Sequence, residues 1–251
     1  MSSDSNSLKS VERSFQILEF VRDNEPASLT RISKEFDASK STIHRHLSTL
    51  VSIGYLIRED GVYRVSSEFL SYANRIHLRD PSYPIINRKV QELADESEEL
   101  VQFTTDERGR LVYLFKQTGR NGLFSRSDAR TFRPLHSTAG GKAILSTWPR
   151  EKVEAYIDQN GLETITKQTI TSASALFERL EKVQERGYAT NREETVEGLG
   201  AVSVPINGPD GQTIGALGIS GPVNRVLNGD SEYAQLLLDA KKELELTIRL
   251  L

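Results

Sequence analysis

The chain has 251 residues, 37% hydrophobic and 27% charged, with a net charge of −3. That is enough chain for two domains with separate cores, and the composition is that of an ordinary globular protein. The absence of cysteine excludes disulfides, thiolate metal sites and a thiol nucleophile; no apolar run reaches membrane-spanning length and no signal-peptide pattern opens the chain, so a cytoplasmic location without a membrane partner is expected.

Met1 to Ser7 is polar and serine-rich and reads as a frayed tail. Val11, Phe15, Leu18 and Val21 then form the apolar stripe of a helix that stops at Asn24-Glu25-Pro26. A short helix follows over roughly Leu29 to Phe36, with Leu29, Ile32 and Phe36 on one face and Ser28 as its N-cap. Asp37-Ala38 makes a turn, and Ser39 or Asp37 caps a second helix from about Lys40 to Ser52. Ile43, Leu47, Leu50 and Val51 point inward from it, and Gly54 ends it. Lys40, Ser41, Thr42, His44 and Arg45 occupy its opposite face, near the N-terminal half that meets base edges in helix-turn-helix docking. Tyr55 to Val65 places Asp60-Gly61 between two β-prone runs, a strong hairpin signal, with Arg58 and Arg64 flanking the turn within reach of phosphates. Between Ser28 and Arg64 six Lys/Arg stand against four Asp/Glu, an excess of +2 in a chain of −3. Positive charge placed locally is what phosphate binding requires. The pattern is a winged helix-turn-helix over residues 1–65; the plainer alternative is a protein-binding module with a solvated polar face.

Ser66 to Arg79 reads as a helix with Phe69, Leu70, Ala73 and Ile76 on its apolar face, broken by Pro81 and Pro84; residues 66–84 are expected to be a linker helix and hinge. Residues 85–251 alternate helices and strands. Helices are expected over Ile85–Glu98, Thr138–Ser146, Arg150–Asn160, Ser174–Arg186 and Ser231–Leu251. Strands are expected over Leu100–Thr105, Leu111–Gln117, Tyr188–Asn191, Ala201–Ile206 and Gln212–Ser220. Strands joined as hairpins and mixed with helices argue for an α+β sensor domain on an antiparallel sheet.

His136-Ser137-Thr138-Ala139-Gly140-Gly141 leads from an extended segment into a helix start. Backbone N–H groups and the helix dipole favour an anion there, and small residues let a ligand come close. The same glycines serve equally well for close helix–sheet packing. Arg126, Arg130 and Arg133 precede this motif and offer help in holding an acid, although surface arginines are usually solvated.

Along nearly its whole length the chain resembles IclR-family transcriptional regulators. Ser10 to Glu19 is similar to the family's first helix and Lys40 to Leu50 to its recognition helix. Pro134 to Ala143 resembles the effector-domain motif, as do Arg186-Gly187-Tyr188-Ala189, Glu193-Glu194 with Gly198, and the run Ala216 to Pro222 followed by Arg225. The resemblance implies a GAF-like effector-binding domain, dimers often paired into tetramers, palindromic double-stranded operators, and control of a catabolic operon, as repressor or activator, by a small carboxylate. It extends the effector site of Ala139 and Gly140 to Asn191, Leu199, Ala201, Gly218 and Ser220. Asn191 and Ser220 would supply hydrogen bonds, Leu199 an apolar wall and Gly218 room. The family often carries aspartate at position 191, cysteine at 201 and serine at 218, so this pocket is expected to be roomier and less acidic, suited to a sugar acid or an aromatic acid rather than a glyoxylate-sized effector.

Two rival classes predict different chemistry. An enzyme needs a constellation that the sequence does not offer. His44 and His46 lie two apart on a helix and face different ways, His136 beside Ser137 lacks an orienting acid, and Glu193-Glu194 reads as a solvated loop pair. Gly198-Leu199-Gly200 lacks the third glycine of a dinucleotide fingerprint. No catalytic residue, metal site or cofactor is therefore expected. A protein adaptor would keep small-molecule binding without salt-dependent DNA affinity.

Overall fold

The computed structural model describes residues 7–122, 132–228 and 232–251. It divides the chain into two compact units, residues 1–77 and 78–251. The division falls inside the span expected as a linker.

In the first unit α1 (Lys9–Asn24), α2 (Leu29–Glu35) and α3 (Lys40–Ser52) pack around Ile17, Val21, Ile32, Ile43 and Leu47. Ser28 and Ser39 cap α2 and α3, accepting the N–H of Arg31 and of Thr42, as local geometry demands of serine at that place. The stripe on α1 is rotated from the expected one. Ile17, Leu18 and Val21 face the core, whereas Val11 and Phe15 are exposed. The wing is β2 (Leu56–Glu59) against β3 (Val62–Val65), turned by Asp60 and Gly61, both at positive φ. A two-residue strand, β1 (Ala27–Ser28), adds to β3 and was not anticipated, being too short for a periodic signal. α4 (Phe69–His77) buries none of its residues, and Phe69 and Tyr72 group with Tyr55.

In the second unit α5 (Tyr83–Ser97) carries Pro84 in its first turn. Pro84 thus starts a helix rather than breaking the chain, because the first-turn N–H that proline lacks has no helical acceptor anyway. The sheet has the order β6-β5-β4-β9-β8-β7, and every neighbouring pair is antiparallel. Its strands are β4 (Leu100–Glu107), β5 (Arg110–Thr118), β6 (Phe132–Pro134), β7 (Ala189–Arg192), β8 (Leu199–Asn207) and β9 (Thr213–Pro222). One face, with Val101, Phe103, Val202, Leu217 and Ile219, packs with α5 and the terminal helix α10 (Glu232–Ile248), which brings Leu237 and Leu244. Leu111, Ala189 and Ala216 belong to a second core with α6 (Ala139–Leu145), α7 (Arg150–Asn160) and α8 (Ala173–Arg186). Two short helices of the described residues remain, a 3-10 turn over Leu135–Ser137 ahead of α6 and α9 (Val223–Val226), which follows β9 directly.

Candidate functional sites, one for DNA and one for a small molecule

On α3, Lys40, Ser41, Thr42, His44 and Arg45 are all exposed, with Ile43, Leu47 and Leu50 buried behind them. Ser41 and Thr42 turn their hydroxyls to the Ser39 cap, each 2.8 Å from Ser39 Oγ. His44 and His46 take different faces; His46 sits against α1, its Nδ1 2.8 Å from Ser14 Oγ. Burial, with Arg13 and Arg45 nearby, lowers its pKa, so this contact is that of a neutral ring. The wing arginines are not brought together. Arg58 is opposite Tyr63 and Arg64 opposite Ile57 in the β2–β3 register. Cross-strand partners share a face and neighbours alternate, so Arg58 and Arg64 project to opposite faces, and the Arg58 guanidinium lies 5.7 Å from the centre of the buried Tyr63 ring.

In the second unit the strand register gathers side chains from distant parts of the chain. Asn191, Ala201, Ser220 and Leu100 form one row across β7, β8, β9 and β4. Ser203, Gly218 and Gln102 form the next, followed by Ala216, Thr104 and Tyr113. With Thr138, Ala139 and Gly140 at the start of α6, and Thr195, Val196 and Leu199 beside them, these rows, Ala216 apart, line a cavity of about 70 Å³. All seven residues expected at an effector site, Ala139, Gly140, Asn191, Leu199, Ala201, Gly218 and Ser220, are at its wall. Arg133 is there too, the one formally charged residue among the described residues lining the cavity. Arg126 and Arg130 lie outside the described residues.

The two glycines of the motif divide between the uses foreseen for them. A Cβ on Gly140 would lie 2.6 Å from Thr104 Oγ1, at the cavity, whereas one on Gly141 would strike the backbone of Leu135. Gly141 thus serves packing. Gly218 does not create room: the space of a Cβ there is filled by Ser203 Oγ, which corrects the expectation of a roomier pocket on that side. Asn191 is committed within the protein. Its amide nitrogen donates to Ser137 O at 3.0 Å and Thr195 Oγ1 at 3.1 Å, and its oxygen accepts from Glu194 N at 2.8 Å. Two N–H bonds exhaust a primary amide's donors, so Asn191 shapes the cavity rather than donating into it. Ser220 Oγ accepts from Gln102 Nε2 at 2.7 Å, which leaves its own proton to donate.

Several residues at this site were not singled out in the sequence: Gln102, Thr104, Tyr113, Thr195 and Ser203. Their only sequence signal is alternation on strands, which marks a face but not what stands opposite. Glu194 was expected to be solvated and is buried, ion-paired with Lys142, itself fully buried. The readable signal was Lys142 itself, a lone charge in the run Ala139-Gly140-Gly141-Lys142-Ala143-Ile144-Leu145. His136 is buried with Nδ1 3.3 Å from Tyr156 Oη and Nε2 3.1 Å from Glu163 O, while Ser137 Oγ donates to Pro134 O at 3.1 Å. Neighbours in sequence, they do not meet as base and nucleophile. Burial, ahead of the opposing Glu163 contact, lowers the His136 pKa.

An N-terminal winged helix-turn-helix and a cavity-bearing α+β domain define a sensor-linked DNA-binding protein. Residues 10–60 match the IclR helix-turn-helix domain, and residues 71–245 match the bacterial transcriptional regulator IclR C-terminal domain. The chain belongs to the IclR family of DNA-binding transcriptional regulators, which are not enzymes. The regulator XynR of Escherichia coli K12 is 32% identical over 236 residues, 90% of each chain. The IclR structure of Thermotoga maritima superposes with a TM-score of 0.81 at 26% identity, covering 96% of this chain and 98% of that one. An IclR homologue from Microbacterium hydrocarbonoxydans, solved with 4-hydroxybenzoate, shares the fold at a TM-score of 0.78 and 20% identity, over 96% of this chain and all (100%) of that one. Among the described residues no helix is long and apolar enough to cross a membrane.

Proposed function

We propose that this chain is a ligand-gated repressor or activator of a catabolic operon, acting in the cytoplasm as a dimer or a dimer of dimers on a palindromic operator. Residues 1–65 read DNA, 66–84 link, and 85–251 bind the effector. Lys40, Ser41, Thr42, His44 and Arg45 meet the major groove, and Arg58 and Arg64 serve the phosphates, from opposite faces of the wing. The effector is a small carboxylate held at Ala139, Gly140, Asn191, Leu199, Ala201, Gly218 and Ser220.

The observation that carries the reading is the convergence of these effector residues, from four separate segments, on one cavity. Among the described residues the lining is rich in neutral hydrogen-bonding groups and contains one cation, Arg133, and no carboxylate, which suits a hydroxylated monoacid such as a sugar acid. An aromatic acid is the second reading, favoured by the 4-hydroxybenzoate seen with the Microbacterium homologue. Effector binding changes the geometry of the paired effector domains, the linker carries that change, and half-site spacing turns it into loss or gain of DNA affinity.

The test is fluorescence anisotropy on a duplex from the DNA flanking the gene and on a scrambled duplex, across a salt series, with D-gluconate, D-galacturonate, 4-hydroxybenzoate and pyruvate. Salt-sensitive preference for the native duplex that one acid shifts is the expected result. Acid binding with no DNA affinity even at low salt would instead establish an adaptor.

A further inference from the structure

Between β7 and β8 the chain runs over residues 193–198, a strap that brings Thr195 and Val196 to the cavity wall. Glu193 and Gly198 both take positive φ. Glu193 N donates to Leu199 O at 2.9 Å, and Gly198 N to Glu193 Oε1 at 2.7 Å. Thr166 and Thr169 hold the carbonyls of Glu193 and Glu194 at 2.7 and 2.8 Å. Beneath the strap the Glu194 carboxylate is 3% exposed and reaches Lys142, which is 0% exposed on α6, the helix whose first residues also line the cavity. One oxygen of this carboxylate, Oε2, is buried without a hydrogen-bond partner among the described residues.

That half-satisfied pair is a poor device for stability. Desolvation of two charges cancels most of their attraction, and an unmet buried oxygen adds further cost. Its placement suggests another use. Lys142 lies behind the cavity on α6, whose first residues line it, and Glu194 on the strap whose Thr195 and Val196 line it; Asn191 joins Glu194 N to the carbonyl of Ser137 just ahead of α6.

We infer that Lys142 and Glu194 are positioning residues that clamp the 193–198 strap onto α6, so that the charge of this pair sets how firmly the effector site is closed. The inference rests on the cavity being the effector site. The groups facing Lys142 are Glu194 from the strap, Arg179 and Arg186 from α8, and His136 from the turn before α6. The two arginines and burial work against its ammonium, and Glu194 works for it. Burial is the largest influence and brings the Lys142 pKa down to about 8. Above that pH the lysine is neutral, Glu194 keeps only the longer 3.7 Å contact to the part-exposed Arg179 guanidinium of α8, the strap loses its charged tie to α6, and it loosens.

Hydrogen exchange on the full-length protein without any ligand tests this directly. Protection factors, corrected for the intrinsic pH dependence of exchange, are read at pH 7 and 9.5 for the amides of Glu193, Glu194, Gly198 and Leu199. In the wild type they fall about tenfold at the higher pH, a modest coupling. In Glu194→Gln, and in Lys142→Met/Glu194→Gln, they are low at both pH values, while β4 and β9 keep wild-type protection. Equal strap protection in all three proteins at both pH values would overturn the clamp, and so would a loss spread evenly over strap and sheet, which marks a purely structural pair. Because no ligand enters the measurement, failure to find an effector acid tells against the site and not against the clamp.

Discussion

The two units use polar side chains in opposite ways. Among the described residues, every buried residue with a charged, hydroxyl, amide or imidazole side chain, from Ser82 to Ser203, belongs to the second unit, tyrosines apart; the reading unit buries apolar side chains, the Tyr63 ring and, in a part-exposed residue, the Ser33 hydroxyl oxygen. Its hydrogen-bonding groups stand outward on α3 and the wing, where a large, rigid, charged partner can meet them without their first being desolvated. A small effector must be enclosed to be recognised, so its unit has to bury polar groups and then satisfy them with one another. The contrast teaches that electrostatic faults are cheap on the DNA-reading face and expensive around the cavity.

The sharpest way to break that contrast is to remove the close partner of one buried charge. Lys142→Met leaves Glu194 only the Arg179 guanidinium at 3.7 Å and is expected to destabilise the second unit by about 3 kcal/mol, read from its chemical denaturation, whereas Lys40→Met on α3 should change the first unit's stability by less than about 0.5 kcal/mol. Arg45→Ala is expected to cost about 1–3 kcal/mol of operator affinity in anisotropy with acid binding untouched; wild-type DNA affinity would remove Arg45 from the interface. Ser220→Ala takes away the acceptor of the Gln102 amide as well as a donor to the effector. It should weaken effector response by about 1 kcal/mol and leave DNA binding by the free protein unchanged, as titration of each ligand will tell. The finest distinction lies in pH. Lys142 holds its proton to about 8 in the fold against 10.5 ordinarily. Between those values the unfolded chain binds more protons, so this group's contribution to stability rises with pH while strap closure declines. Denaturation midpoints that fall across this window, relative to those of Lys142→Met/Glu194→Gln, would mean that the fold binds this proton more tightly than the unfolded chain, and would overturn the lowered pKa.

The reading unit was legible because its signals are local. Ser39 caps within three residues, Asp60-Gly61 specifies its own turn, and the helical period of Ile43, Leu47 and Leu50 names the buried face. Even there, period alone misplaced Val11 and Phe15, since a stripe shared among Val11, Ile17 and Leu18 admits more than one orientation until a neighbour selects it. Around the cavity the elements were legible and the partnerships were not. Gln102 and Ser220 stand 118 positions apart and meet because β4 and β9 pair. The cavity wall at Asn191, Leu199 and Gly218 was reached through family resemblance, which carries positions but not bonding. It therefore named Asn191 without indicating that its amide is already spent on Ser137 and Thr195. Glu194 was misjudged because nothing beside it in sequence announces Lys142, 52 positions away.

The pairing of β4 with β9 also governs the order in which the molecule comes into being. Residues 7–77 contain all the partners of the reading unit, so this unit can fold as soon as it leaves the ribosome. The central seam of the sensor sheet waits for β9, residues 213–222, the strand flanked by β4 and β8. At about 5–20 residues per second of synthesis, each new molecule passes through an interval of roughly 7 to 29 seconds in which a complete DNA reader is tethered to a second unit that has no cavity. Any chain that stops short of β9 remains in that state, a reader whose second unit never closes its sheet.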